Sequence, residues 1–155
     1  MKLARIGSTG PAWAPDDISG TGAACSPAGS YRPSGPRGYR RQTENALATS
    51  QTDLSARMGH DLSPHRWRGN LWLDGAAPWA EWDWLGRDIR IGSAVLRVQE
   101  RITRCMATTV EPATGHSNAD TLGALEAAFG HQDFGLYATV VQDGDIALGD
   151  GWSIA

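Results

Sequence analysis

Between Ser19 and Ala46 the chain contains no Val, Ile, Leu, Met, Phe or Trp, and the stretch "GTGAACSPAGSYRPSGPRGYRRQ" is built largely of Gly, Pro, Ser and Arg. Such a segment cannot bury enough apolar area to offset the entropy of ordering it. The hydrophobic core must therefore be assembled from about Leu47 onward. This divides the chain into a disordered or atypical segment, residues 1–43, and one folded domain over residues 44–155, a usual size for a single core. Arg32, Arg37, Arg40 and Arg41 could form a nucleic-acid arm. A net charge of -3 and the presence of only Tyr31 and Tyr39 among them favour a solvated tail and no nucleic-acid partner.

Downstream of Leu47 the pattern changes along the chain. "TSQTDLSARMGHDLSP" offers Ser50 as an N-cap, Leu54 and Met58 one turn apart, and Gly59 as a C-cap: a short amphipathic helix. "WRGNLWLDG" alternates large apolar and polar residues and stops at Asp74-Gly75, and "DIRIG" and "AVLRVQ" read as further short strands. After a turn-rich connection, Asp120 caps a second helix, "TLGALEAAF", ended by Gly130; "FGLYATVV" and "DIALGD" then read as two strands joined around Asp143-Gly144. The expected fold class is mainly β (α+β), a small, partly closed β-barrel carrying two or more short helices.

The N-terminus lacks the apolar run of a secretory signal, and nowhere do about 18 apolar residues follow one another, so a cytoplasmic protein without a membrane partner is expected. Cys25 and Cys105 are the only cysteines, which excludes a disulfide framework or a thiolate zinc cluster.

Three features could bear chemistry. Trp67, Trp72, Trp79, Trp82 and Trp84 crowd into "WRGNLWLDGAAPWAEWDW", where they either fill irregular gaps in the core or wall a flat ligand. Arg66, Arg68 and Asn70 alternate, so on one strand they would share a face; that face is either a polar exterior or a receptor for phosphate or carboxylate, which Arg grips bidentately. In "RITRCMATTV", Cys105 falls at or just past a strand end beside Arg104, whose charge favours the thiolate that binds soft metals and attacks electrophiles. The alternative is a small buried thiol. His60, His65, His116 and His131 lack metal-ligand spacing, and no G-x-x-x-x-G-K, H-E-x-x-H or G-x-S-x-G motif occurs.

The run from about Leu54 to Asp150 resembles the MOSC family, the domain found at the C-terminus of molybdenum cofactor sulfurases and in the mitochondrial amidoxime reducing component and its bacterial relatives. The resemblance rests on "RWRGNLWLDG", "PWAEWDWLGRDIRIGSAVLRV", "TRCMATTVEPATG", "FGLYATVV" and "GDIALGD", in that order. It implies a β-barrel and a molybdenum cofactor (Mo-molybdopterin), with Cys105 as metal ligand and catalytic residue or as carrier of a reactive sulfur. Cofactor-binding roles are implied for Arg66, Arg68, Asn70, Thr103, Arg104 and Tyr137. The implied activity is an oxidoreductase module reducing small N-hydroxylated substrates with electrons from a flavin or Fe–S reductase. The alternatives are a sulfur carrier served by a cysteine desulfurase, or a truncated, non-catalytic binding module. Pyridoxal phosphate, which the family is sometimes associated with, would belong to such a desulfurase, since Lys2 is the only lysine available for an aldimine. The chain departs from its relatives at Gly69, where many carry proline, and residues 1–46 do not resemble the N-terminal β-barrel region that supplies further cofactor-binding side chains.

Overall fold

The computed structural model describes residues 2–6 and 42–155. Cys25 and the arginine-bearing stretch lie outside the described residues. The elements are β1 (Lys2–Ile6), β2 (Gln42–Leu47), α1 (Ala48–Met58), β3 (Leu71–Asp74), β4 (Asp88–Ile91), β5 (Ala94–Thr103), α2 (Thr121–Phe129), β6 (Asp133–Gln142) and β7 (Trp152–Ile154), with 3₁₀ turns at Pro64–Trp67, Ala80–Trp84 and Met106–Thr109.

The strands form one seven-stranded sheet in the order β1-β3-β2-β6-β5-β4-β7. All neighbours are antiparallel except β2 and β3, which run parallel with α1 in the connection between them. Register shifts interrupt the β5–β6 ladder at three places, and such irregularities bend a strand and deepen its twist. The sheet curls until the Trp152 indole N–H, on edge strand β7, donates to the carbonyl of Asp74 at the end of β3, 2.9 Å away. This is the expected partly closed barrel.

Two apolar clusters result. One fills the barrel with Leu47, Leu71, Leu73, Ile89, Leu96 and Leu136 among others, alternate residues whose side chains point inward. The other packs α1 and α2 on the outside through Leu54, Leu62, Trp67, Trp72, Leu125 and Phe134. Trp67 is fully buried and stacks on Phe134 at 4.0 Å, and Trp84 packs on Trp152 at 5.1 Å. Trp79 and Trp82 are half-buried around Phe129. The tryptophans are packing residues.

The strands at β4, β5 and β6, the helix capped by Asp120 and the αL glycines after both helices lie where the pattern places them. Several expectations need correction. Within the segment expected to be disordered or atypical, Lys2–Ile6 forms the edge strand β1, and Gln42 and Thr43 open the interior strand Gln42–Leu47. "DIALGD" is not a strand: the Asp150 carboxylate accepts from the Ala147 N–H at 2.8 Å, and the Ala147 carbonyl from the Asp150 N–H at 3.1 Å, closing a turn. Nor does Ser50 cap α1. Leu47 holds that position without a side-chain cap, and the buried Ser50 hydroxyl instead donates to Glu81 at 3.0 Å and accepts from the Trp79 N–H at 2.8 Å.

Glu81 is thus a carboxyl group 1% exposed against the first turn of α1. Burial pushes its pKa up to about 7, opposed by hydrogen bonds from its own backbone, Ser50 and Leu47 and by the charge of Arg101. A carboxyl with a raised folded-state pKa contributes stability that is complete below its ordinary value of 4.5 and lost as pH climbs toward 7. Unfolding free energy should therefore fall by on the order of 3 kcal/mol across that window. Glu81→Gln, which keeps the acceptor for Ser50 and cannot ionise, should flatten the slope in urea titrations from about pH 5 to about pH 8; parallel slopes in the two proteins would show that Glu81 does not set it.

Candidate functional site

Strand β5 ends at Thr103, and Cys105 follows as an exposed free thiol. A tight turn fixes where the sulfur sits. The Cys105 carbonyl accepts from both the N–H and the hydroxyl of Thr108, each at 3.1 Å, and the same hydroxyl lies 2.8 Å from that of Thr121 at the start of α2. The Thr109 hydroxyl donates to the Met106 carbonyl at 2.8 Å, and the Thr109 carbonyl accepts from the Asn118 and Ala119 N–H groups. Paired threonines after the cysteine thus tie its turn to α2, where inert side chains would leave backbone groups unmatched.

Beside the thiol, Arg104 is buried inward at 9% exposure. Its Nε donates to the Phe134 carbonyl at 2.7 Å, and its Nη1 to the Trp67 carbonyl at 3.0 Å and to Glu44 Oε2 at 3.2 Å. The guanidinium lies 5.8 Å from the ring centroids of both Trp67 and Phe134. Gly135 makes this fit possible: with φ +78° it has a conformation that side chains avoid, and an added Cβ would lie 2.7 Å from the Asn45 carbonyl oxygen and 3.1 Å from Arg104 Nη2. Desolvation lowers the Arg104 pKa, opposed first by the charge of and hydrogen bond to Glu44 and then by the charges of Tyr137 and Cys105.

The expected face of Arg66, Arg68 and Asn70 does not exist, because the chain from Pro64 to Trp67 is a 3₁₀ turn and Arg68 takes the left-handed conformation at φ 55°. Pro64 starts that turn, and the carbonyls of Ser63 and His65 accept from the N–H groups of Arg66 and Arg68. The three side chains therefore diverge. Arg66 has a fully buried side chain, and it donates to the Thr108 carbonyl at 2.9 Å and to Glu111 and Asn118 at 3.0 Å each. Arg68 is exposed. Asn70 bridges to β2: its amide oxygen accepts from the Glu44 N–H at 2.9 Å and its N–H donates to the Glu44 carbonyl at 2.8 Å. Gly69 leaves room for the Trp72 indole, which a Cβ there would approach to 3.1 Å.

Of the other expected residues, Thr103 is exposed with its hydroxyl on Asp133 at 2.7 Å, and Tyr137 stands half-buried opposite Glu44 in the β2–β6 register. The structure thus gathers Arg104, Tyr137 and Asn70 around one residue absent from the expected set, Glu44, with Cys105 next to Arg104 in the chain. A carboxylate following a Gly/Pro/Arg stretch gave no signal; only the pairing of β2 with β6 brings it to the site. Among the described residues no group of three or more His, Cys, Asp or Glu side chains could hold a metal, and no helix is long and apolar enough to cross a membrane.

A family model, the MOSC domain, matches residues 41–152. The chain belongs to the MOSC domain family. This MOSC domain is 34% identical over 84 residues to a molybdenum cofactor sulfurase of Anopheles gambiae, covering 54% of this chain and 11% of that protein. It is 30% identical over 113 residues to mitochondrial amidoxime-reducing component 1 of Mus musculus, covering 65% of this chain and 33% of that one. The chain thus spans only a small part of the curated relatives it matches. Among solved structures it is similar to YiiM from Geobacillus stearothermophilus, with a TM-score of 0.56 at 21% identity over 73% of this chain and 53% of that one. The YUAD protein from Bacillus subtilis gives a TM-score of 0.56 at 18% identity over 74% and 64% of the two chains. Both likenesses establish the MOSC fold.

The two arginines flanking Trp67 should behave oppositely. Arg66→Ala leaves Glu111 and the Thr108 carbonyl without their buried partner and should cost about 3–5 kcal/mol of unfolding free energy. Arg68→Ala, at an exposed position, should change it by less than about 1 kcal/mol. Urea unfolding of both variants measures the contrast.

Proposed function

We propose that this MOSC domain binds the molybdenum cofactor at the Cys105 end of β5 and serves as an oxidoreductase module for small N-hydroxylated molecules. The observation that supports this reading most directly is an exposed thiol on a turn held from behind by two buried arginines. The donor set fits the group. A site offering one soft thiolate, with no carboxylate or imidazole cluster among the described residues, suits a metal whose other ligands arrive with an organic cofactor. The guanidinium of Arg104, on the residue that precedes that thiol, exchanges one of its hydrogen bonds only with the partly exposed Glu44, which suits an anionic ligand.

Cys105 would be the metal ligand, and Arg68, whose guanidinium is exposed, would offer its planar fork to the cofactor's phosphate. Arg104 and Arg66 act from behind: they hold the strand end and the turn at fixed positions, so the thiol needs little reorganisation to take a ligand. Tyr137 presents a phenol from β6 on the Glu44 side of the site, and Thr103 fixes the last residue of β5 through Asp133. When bound, the cofactor supplies two-electron redox chemistry and oxygen-atom transfer. The sequence contains no Fe–S or flavin motif, so electrons would come from a flavin or iron–sulfur reductase. The mouse relative's name, an amidoxime-reducing component, supports N-hydroxylated substrates.

A second reading has its own support. The likeness to a molybdenum cofactor sulfurase and the exposure of Cys105 suit a thiol that accepts sulfane sulfur from a desulfurase persulfide and passes it on. Elemental analysis of protein made in cofactor-producing cells separates the two. Under the first reading wild type contains molybdenum and Cys105→Ser retains about tenfold less or lower. Arg68→Ala should retain several-fold less at unchanged stability. Wild type without molybdenum, but with a cyanide-labile sulfur on Cys105 after incubation with a desulfurase, would replace the first reading by the second. A protein with neither would be a binding module without this chemistry.

A further inference from the structure

We propose that Glu44 sets the anion affinity of the Cys105 site by occupying, as an internal carboxylate, the one position on Arg104 that an incoming anion can take. Four of the five guanidinium N–H donors that might hold an external anion are closed to it. Arg104 Nε and one bond of Nη1 are spent on the Phe134 and Trp67 carbonyls, backbone groups that cannot leave without unfolding their elements. Nη2 has no partner, is buried, and faces the backbone of Gly135. The remaining contact is the 3.2 Å bond to Glu44, whose side chain is 28% exposed and ends a flexible stem. It alone can be exchanged from solvent.

Glu44 is also held in register rather than placed by chance. Its backbone is fastened on both sides by Asn70, through the 2.9 Å bond to the amide oxygen and the 2.8 Å bond from the Asn70 N–H. Across the ladder it faces Tyr137. Arg104 is met by both the charge of and the hydrogen bond to Glu44, so the single guanidinium is already answered by a carboxylate before any ligand arrives. An added phosphate must displace the carboxylate and then stand beside it, and both steps oppose binding. Glu44 is therefore a positioning residue: it holds Arg104 in place and tunes how readily that cation is released to a ligand. The inference rests on the cofactor reading only in naming the natural anion as a second anionic group of the cofactor, apart from the phosphate offered to Arg68.

Inorganic phosphate serves as the probe, with ionic strength held constant by chloride and pH fixed. Phosphate bound beside Cys105 slows its alkylation by iodoacetamide, followed by mass spectrometry of the Cys105 peptide in the full chain purified without molybdenum. In Glu44→Gln the half-protecting phosphate concentration should fall by about fivefold or more relative to wild type, and Glu44→Asp, with its carboxylate drawn back by one methylene, should lie between them. Equal midpoints in the three proteins, or weaker protection in Glu44→Gln, overturn the proposal. Should Glu44→Gln not fold, the comparison of Glu44→Asp with wild type decides alone, and identical midpoints there overturn it too. The titration needs no metal, so its failure leaves the molybdenum measurement standing, and absence of molybdenum leaves the effect of Glu44 on phosphate intact.

Discussion

One buried cation ties the site to the barrel. Arg104 joins four pieces of chain that are remote in sequence: it leaves the end of β5, binds the carbonyl of Phe134 on β6 and of Trp67 in the 3₁₀ turn, and pairs with Glu44 on β2. A guanidinium suits this task because its fork reaches several acceptors at once while its flat face lies over aromatic rings, here Trp67 and Phe134. Burying such a charge is costly unless it is paired and hydrogen-bonded. The rest of the arrangement follows from meeting that requirement: a glycine at 135 to let the fork approach β6, a turn at 64–67 to present a carbonyl, and a carboxylate on β2.

Arg66 repeats the principle on the other side of Cys105. Its buried fork collects the Thr108 carbonyl, Glu111 and Asn118, the loop that follows the cysteine. The two guanidiniums therefore also fasten the chain on either side of the thiol, which owes its fixed place to them. The exposed Arg68 lies between the two anchors and takes a left-handed backbone conformation, which turns its side chain away from the faces that its neighbours fill.

Much of the barrel was legible because alternation and turn residues act locally: "DIRIG", "AVLRVQ" and "FGLYATVV" are strands, and Asp120 and Gly130 bound α2 as their chemistry requires. The place of Cys105 just past a strand end was legible for the same reason, whereas its exposure, left open by the sequence, is set by the structure. What failed depended on distant partners. Alternation in "RWRGN" imitates a strand, but Pro64 and the carbonyls of Ser63 and His65 wind it into a turn. Ser50 has the residue type of a helix cap, yet a buried Glu81 claims its hydroxyl from 31 positions away. The five-residue strand at the N-terminus and β2 acquire their conformation by pairing with β3 and β6, and their own composition does not announce it.

The position of β2 in the sheet has a temporal side. The Thr43 hydroxyl donates to the carbonyl of Ala138, 95 residues further along the chain, so one flank of β2 stays unsatisfied until β6 is available. Contacts of such sequence separation slow folding and leave strand edges open to association with other molecules during that interval. On the ribosome, β4 and β5 can zip together as they emerge, whereas Glu44 and Arg104 meet only after β6 has arrived. The cysteine's surroundings are thus completed only once β6 has been made, and a nascent chain would display a bare thiol before it could display a finished binding place.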